Sequence, residues 1–181
     1  GRVKVVNALL AMKEIQINQA MNDGRTPLYT ACGNGRVIIV NVLLAREEIQ
    51  INQAASDGCT PLYAACWNDR VNVVNALLAR KEIQINQATN EGTTPLLIAC
   101  QNNYLKVVME LLTQEGIEIN KPMNDGTTPL IIASYLGNSS VVEVLLSHAD
   151  ITTTGTVDDN TAYDCSKANM RIAKWSFLDD K

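Results

Sequence analysis

Apolar positions along the chain fall into one pattern that returns again and again. Within residues 55–88, Val71, Val74, Leu77 and Leu78 recur at helical spacing on one face and predict a helix from about Val71 to Arg80. A shorter apolar run precedes it and predicts a first helix from about Pro61 to Asn68. Its start carries start signals. Thr60 is suited to accept from the free N–H groups of the first turn, and Pro61 fits the first helical position, where an N–H has no partner to lose. Its end is predicted at Asp69, where the other units carry Gly35, Asn103 and Gly137. Gly, Asn and Asp are the residues that tolerate the left-handed conformation closing a helix. Ala65 and Cys66 are small enough for the two helices to approach closely, Ser56-Asp57-Gly58 is a turn signal, and Glu82 to Asn86 leads into the next turn.

The pattern is a true repeat. Asp23-Gly24-Arg25-Thr26-Pro27-Leu28-Tyr29 returns from Asp57, as Glu91-Gly92-Thr93-Thr94-Pro95-Leu96-Leu97, and from Asp125, each time 34 residues on. A decayed copy, Asp159-Asn160-Thr161-Ala162-Tyr163-Asp164, follows, and a leading half-unit occupies residues 1–20. No unit buries its apolar faces alone, whereas stacked units bury one continuous core and stabilise one another as nearest neighbours.

The Asp-Gly-x-Thr-Pro-Leu motif, followed by Ala-Cys, Val-Val-x-x-Leu-Leu and Ile-Asn, resembles the ankyrin repeat, and the likeness covers nearly the whole chain. The resemblance implies an all-α ankyrin-repeat solenoid of stacked helix-turn-helix units with β-hairpin loops. The expected division is a single domain over 1–181: a partial repeat at 1–20, repeats at 21–54, 55–88, 89–122 and 123–155, and a degenerate C-terminal capping repeat at 156–181. Two departures stand out. Tyr29, Tyr63, Leu97 and Ile131 replace the family's His after Thr-Pro-Leu, and the loop after the second helix is one residue longer, as in Arg46-Glu47-Glu48-Ile49.

Charge narrows the function. The net charge of −4 and pI of about 5.0 argue against nucleic acid, which needs a basic face to displace counterions, and against anionic lipid. No apolar run reaches the roughly 18 residues of a membrane span. The chain opens inside a helical pattern (Val3, Val6, Leu9, Leu10), which predicts a piece of a longer repeat protein. Its last unit, with Asp164, Lys167, Arg171 and Lys174, is polar as a cap should be, while Trp175, Phe177 and Leu178 suit packing on the layer before.

Cys32, Cys66 and Cys100 are equivalent positions in successive units, so they sit on layers about 8–10 Å apart. Disulfide bonding needs Cα atoms within about 7 Å, and zinc needs all its sulfurs on one ion. They are therefore expected to be small buried thiols in a reducing compartment, either the cytoplasm or, for a delivered effector, a host cytosol.

Catalytic chemistry finds little to work with. His148 is the one histidine and belongs near a helix end; Cys59 lies at a loop tip with only Arg25 as a basic neighbour one layer away. The glycines come one per turn and make no phosphate loop. Asp23, Asp57, Glu91 and Asp125 form a column at the repeat spacing and suit turn formation better than acid–base work. The expectation is a non-catalytic protein with no cofactor and no metal.

Binding is the better prospect. In ankyrin proteins partners are held by the hairpin tips and the inner face of the first helices. By position, this implies tip residues Asn22, Asp23 and Arg25; Ser56, Asp57 and Cys59; Asn90, Glu91 and Thr93; and Asn124, Asp125 and Thr127. On the first helix, the position after Ala-Cys or Ala-Ser reads Gly33, Trp67, Gln101 and Tyr135. A core position holds one size of side chain in every layer; one that runs from no side chain to indole faces solvent, and Trp and Tyr are the usual interface anchors. Trp67 could instead cover Tyr63, and Tyr29 and Tyr63 could serve either as contacts or as structural substitutes for the missing His. Asn18, Asn52, Asn86 and Asn120 each follow an Ile. They suit bridging loop backbones between layers, and the resemblance also implies substrates for asparaginyl hydroxylation. The expected function is a monomeric protein–protein interaction scaffold; the alternative is the ankyrin part of a larger enzyme or secreted effector.

Overall fold

In a computed structural model, residues 16–152 are described, together with the backbone of 156–157 and 160–161. Four helix pairs follow one another: α1 (Pro27–Gly33) with α2 (Val37–Leu44), α3 (Pro61–Trp67) with α4 (Val71–Leu78), α5 (Pro95–Gln101) with α6 (Leu105–Leu112), and α7 (Pro129–Leu136) with α8 (Ser139–Leu146). The first helices α1, α3, α5 and α7 stack in one row and α2, α4, α6 and α8 in a second, while each pair also packs within itself. The architecture is the all-α repeat solenoid that the periodicity implies.

Local chemistry sets both ends of every first helix. The hydroxyl oxygens of Thr26, Thr60, Thr94 and Thr128 accept from the N–H groups of Tyr29, Tyr63, Leu97 and Ile131 at 3.1–3.2 Å, and a proline opens each helix. Each closes through a left-handed residue: Gly35 (φ 67), Asp69 (φ 54), Asn103 (φ 60) and Gly137 (φ 71). In the second pair, the Asp69 N–H donates to Cys66 O at 3.3 Å and the Arg70 N–H to Ala65 O at 2.9 Å, the paired bonds of a Schellman closure. Because that closure draws in the last carbonyls, α3 ends at Trp67, one residue short of the boundary expected from periodicity; α4 ends at Leu78, two residues short, with Ala79 still right-handed as its cap.

Leu28, Leu62, Leu96 and Leu130 are at most 1% exposed, as are Val74, Val108 and Val142, and they run as stripes through the stack. Ala65, Ala99 and Ala133 are fully buried where the two rows meet. Cys32, Cys66, Cys100 and Ser134 occupy one equivalent position at 0% exposure. The three cysteines are free thiols. Burial pushes the Cys32 thiol up to about 12 and drives Cys66 and Cys100 up as well, so all three behave as small apolar residues.

The loops have two edges. At one, each tip is closed by backbone bonds such as Ala55 N–H to Cys59 O and Gly58 N–H to Ala55 O, both 2.9 Å, and is tied to the tip before it, with Ser56 donating to Asp23 O at 2.9 Å and Asn90 to Asp57 O at 3.0 Å. These tips are tight turns; residues 16–152 contain no strand. A short antiparallel pair, β1 (Thr156–Val157) with β2 (Asn160–Thr161), lies beyond them. Gly58 shows why the turns need glycine: its φ is +82°, and a Cβ there would meet Asn90 N at 2.7 Å.

At the other edge an asparagine ladder joins the layers. The Asn18 amide donates to Glu48 O at 2.7 Å and accepts from the Gln50 N–H at 2.9 Å. Asn52, Asn86 and Asn120 repeat both bonds with the layer that follows each. This is the backbone-bridging role expected of them. The half-unit up to residue 15, and the capping residues of 156–181 apart from the two short strands, lie outside the described residues.

Candidate functional site

The variable position on the first helices faces outward. Trp67 is 50% and Tyr135 60% exposed, although the residues just before them, Cys66 and Ser134, are at 0%. Gly33 and Gln101 are part-exposed. The helix period causes the contrast: a step of one residue turns about 100° around the axis, from the inter-row seam to the solvent side of the row.

Trp67 and Tyr63 stand one turn apart on α3, with ring centroids 5.9 Å apart and planes tilted by 43°. Trp67 thus covers Tyr63 and still presents half its surface. Tyr63 keeps only 6% exposure, so it is a wall behind Trp67 rather than a contact offered whole. This corrects its inclusion among directly presented residues. Tyr29 is half-buried, because the residue one turn after it is Gly33, which has no side chain to cover the ring. Burial raises both phenols above the ordinary tyrosine value, so both stay protonated at neutral pH.

Between the first two layers lies a groove of about 430 Å³ lined by Met21, Arg25, Tyr29, Gly33, Asp57, Cys59, Tyr63, Trp67 and neighbouring polar residues. Arg25 pairs with Asp23 at 3.3 Å and lies over the Tyr29 ring, 5.6 Å from its centroid. The Asp57 carboxylate accepts the Cys59 N–H at 2.9 Å, and that bond holds its carboxyl below the usual aspartate value. Asp125 accepts from Thr127 N–H at 2.8 Å with the same effect. Glu91 departs from this scheme: in its tip the Thr89 hydroxyl takes the Thr93 N–H at 3.2 Å, so the Glu91 side chain is not used to build the turn.

Cys59 is half-buried, and burial together with its hydrogen bond to Asp57 pushes its thiol up to about 12. A thiol so protonated is a poor nucleophile at neutral pH. His148 sits past the end of α8, its Nδ1 accepting the Asp150 N–H at 3.3 Å. No group of three or more His, Cys, Asp or Glu could hold a metal ion among the described residues. Nor is any helix among them long and apolar enough to cross a membrane.

One set of residues escaped the sequence reading. The carbonyl of Gly33 accepts from Arg70 Nε at 3.3 Å, that of Trp67 from Asn102 Nδ2 at 3.4 Å, and that of Gln101 from Asn138 Nδ2 at 3.1 Å. Gly33, Trp67 and Gln101 are thus each held at the backbone by a side chain of the next layer. Arg70 and Asn138 lie 37 residues ahead and share one column of the repeat, whereas Asn102 lies 35 ahead in another; the shared column reads Arg36, Arg70, Tyr104 and Asn138, so no constant residue type marks it. Met21, 57% exposed on the groove rim, was likewise unmarked.

A family model described as ankyrin repeats in three copies matches residues 1–89 and 81–155. No curated protein matches the chain.

Proposed function

The chain belongs to the ankyrin-repeat family, whose repeats are generally protein–protein interaction modules and typically non-catalytic, and from that premise we propose that this protein binds a partner protein along its row of first helices and the adjoining tips. The observation that carries the reading is the Gly33, Trp67, Gln101, Tyr135 series. Two large aromatic side chains stand at least half exposed beside residues of zero exposure. Trp and Tyr supply much contact area for little lost rotamer freedom, and they dominate interface energetics. Arg25, Tyr29, Asp23, Asp57, Glu91 and Asp125 flank them, with Tyr63 acting behind Trp67. A hydrogen bond from Asn102 holds the backbone beneath Trp67, which favours a preformed surface that loses little entropy on binding. A partner spanning four tips would bury about 800 Å² on each side, an ordinary interface.

The test is capture from cytosolic lysate by the chain and by a Trp67→Ala, Tyr135→Ala double variant of matched thermal stability. A protein retained by the first and lost by the second is the expected result. Equal capture by both would move the binding surface away from these helices and overturn the assignment.

A further inference from the structure

The groove between the first two layers has the chemistry of a receptor for one particular side chain. We propose, resting on the reading above, that it seats an arginine or lysine of the partner, the aliphatic stem against the Trp67 indole and the cation toward the Asp57 carboxylate. Three features support this occupant. Gly33 adds no side chain to the groove it lines with Trp67: a Cβ there would fit in ordinary van der Waals contact with Ala64 Cβ and Asn68 Nδ2, each at 3.7 Å, so a longer side chain is what would fill the groove. Trp67, half exposed and backed by Tyr63 at 5.9 Å, offers an aromatic face, the surface that attracts a cation within about 6 Å of its centre. Asp57 lines the same groove, is ionised at neutral pH, and has no ion pair among the described residues.

Other occupants fit less well. An acidic side chain would meet Asp57, with Glu91 in the next tip adding to the repulsion. A purely apolar one would strip water from a carboxylate and return nothing to it. Arg25, the cation lining the groove among the described residues, is already committed to Asp23 at 3.3 Å and to the Tyr29 ring at 5.6 Å. Its charge also favours the ionised Asp57 carboxylate, but no ion pair joins the two among the described residues, so that carboxylate stays open to a second cation. A long cationic side chain, apolar along its stem and charged at its tip, matches both kinds of lining.

The experiment follows the Trp67 indole N–H resonance of ¹⁵N-labelled protein, assigned by Trp67→Phe, at low salt. The probes are acetyl-Gly-Arg-Gly-amide and its Leu and Glu counterparts. A saturable shift with the Arg peptide, absent with the Glu peptide and weaker with the Leu peptide, is expected. Asp57→Asn, which keeps an oxygen for the Cys59 N–H, should weaken the Arg peptide by about threefold. Gly33→Gln, which copies into the first layer the residue present at Gln101, should abolish the shift, and Gly33→Ala should reduce it. A Leu peptide that binds as well as or better than the Arg peptide would overturn the cationic occupant while leaving the concave-face reading intact. Absence of any saturable shift into the tens of millimolar would overturn the groove as a receptor, and the capture experiment would then decide separately whether Trp67 and Tyr135 bind a partner at all.

Discussion

The asparagine edge and the first-helix face are built by the same repeat, yet they treat variation in opposite ways. Along the edge, Asn18, Asn52, Asn86 and Asn120 are identical, and each makes the same two bonds to the layer after it. On the face, the equivalent position holds Gly33, Trp67, Gln101 and Tyr135, and the two aromatic rings stand at least half exposed. A position that satisfies backbone groups of the next layer is bound to one residue type, because any other leaves a carbonyl and an N–H unpaired. A position that only contributes its own carbonyl to the stack is free to vary above it. Uniformity therefore marks what holds the solenoid together, and variation marks what it offers to others.

That contrast can be broken at several points. The largest effect is expected at the turn edge. Gly58→Ala places a Cβ 2.7 Å from Asn90 N in a backbone held at φ +82° and should cost about 3 kcal/mol in denaturant unfolding. Asn86→Ala removes the bonds to Gly116 O and Glu118 N–H, at 2.7 and 3.0 Å, and should cost about 2 kcal/mol. Neither should alter which residues a captured partner contacts. Trp67→Ala uncovers Tyr63 and should cost about 2 kcal/mol while abolishing capture, and a loss of folding instead would make the cover over Tyr63 the main role of Trp67. Ser134→Ala should act in the opposite direction. Its hydroxyl is fully buried without a hydrogen-bond partner, where its equivalents are thiols, so removing it should stabilise by about 1 kcal/mol, read as a higher melting temperature.

The smallest effect concerns acid. Asp57 and Asp125 have carboxyls held below the ordinary aspartate value by tip N–H groups. A depressed folded-state pKa contributes stability above the unfolded value of about 3.9, and that contribution is lost as pH falls through the folded value. Melting temperature should thus be level at neutral pH and decline only below about pH 4. The decline should be shallower for the Asp57→Asn, Asp125→Asn double variant. An unchanged slope would show that these tips do not gain stability from ionised carboxylates.

Much of the molecule was legible in the chain alone, and the particular residues show why. Thr60 before Pro61, the left-handed closures at Asp69 and Asn103, and the Val74 and Leu77 stripe all depend on atoms within one or two helical turns, and each is found as expected. The burial of Cys32, Cys66 and Cys100 also followed, since a 34-residue period maps one layer's environment onto the next. The distinction between Tyr29 and Tyr63 did not, although both follow Thr-Pro-Leu. It turns on the residue one helical turn later, glycine in one case and tryptophan in the other, and on the tip of the adjacent layer.

Sequence by itself determined the repeat, its helix pairs, their start and stop residues and the position open to variation, because these rest on contacts local to a unit and on strict translation between units. Tertiary structure alone decided which side chains steady that position. Arg70 and Asn138 reach back to the carbonyls of Gly33 and Gln101 from one offset, and Asn102 to that of Trp67 from another. It also decided that Gly33, Trp67 and Asp57 line one groove. Those facts depend on where long side chains of one layer settle against the backbone of another, and a hydrogen bond selects for distance and direction in space, not for spacing along the chain.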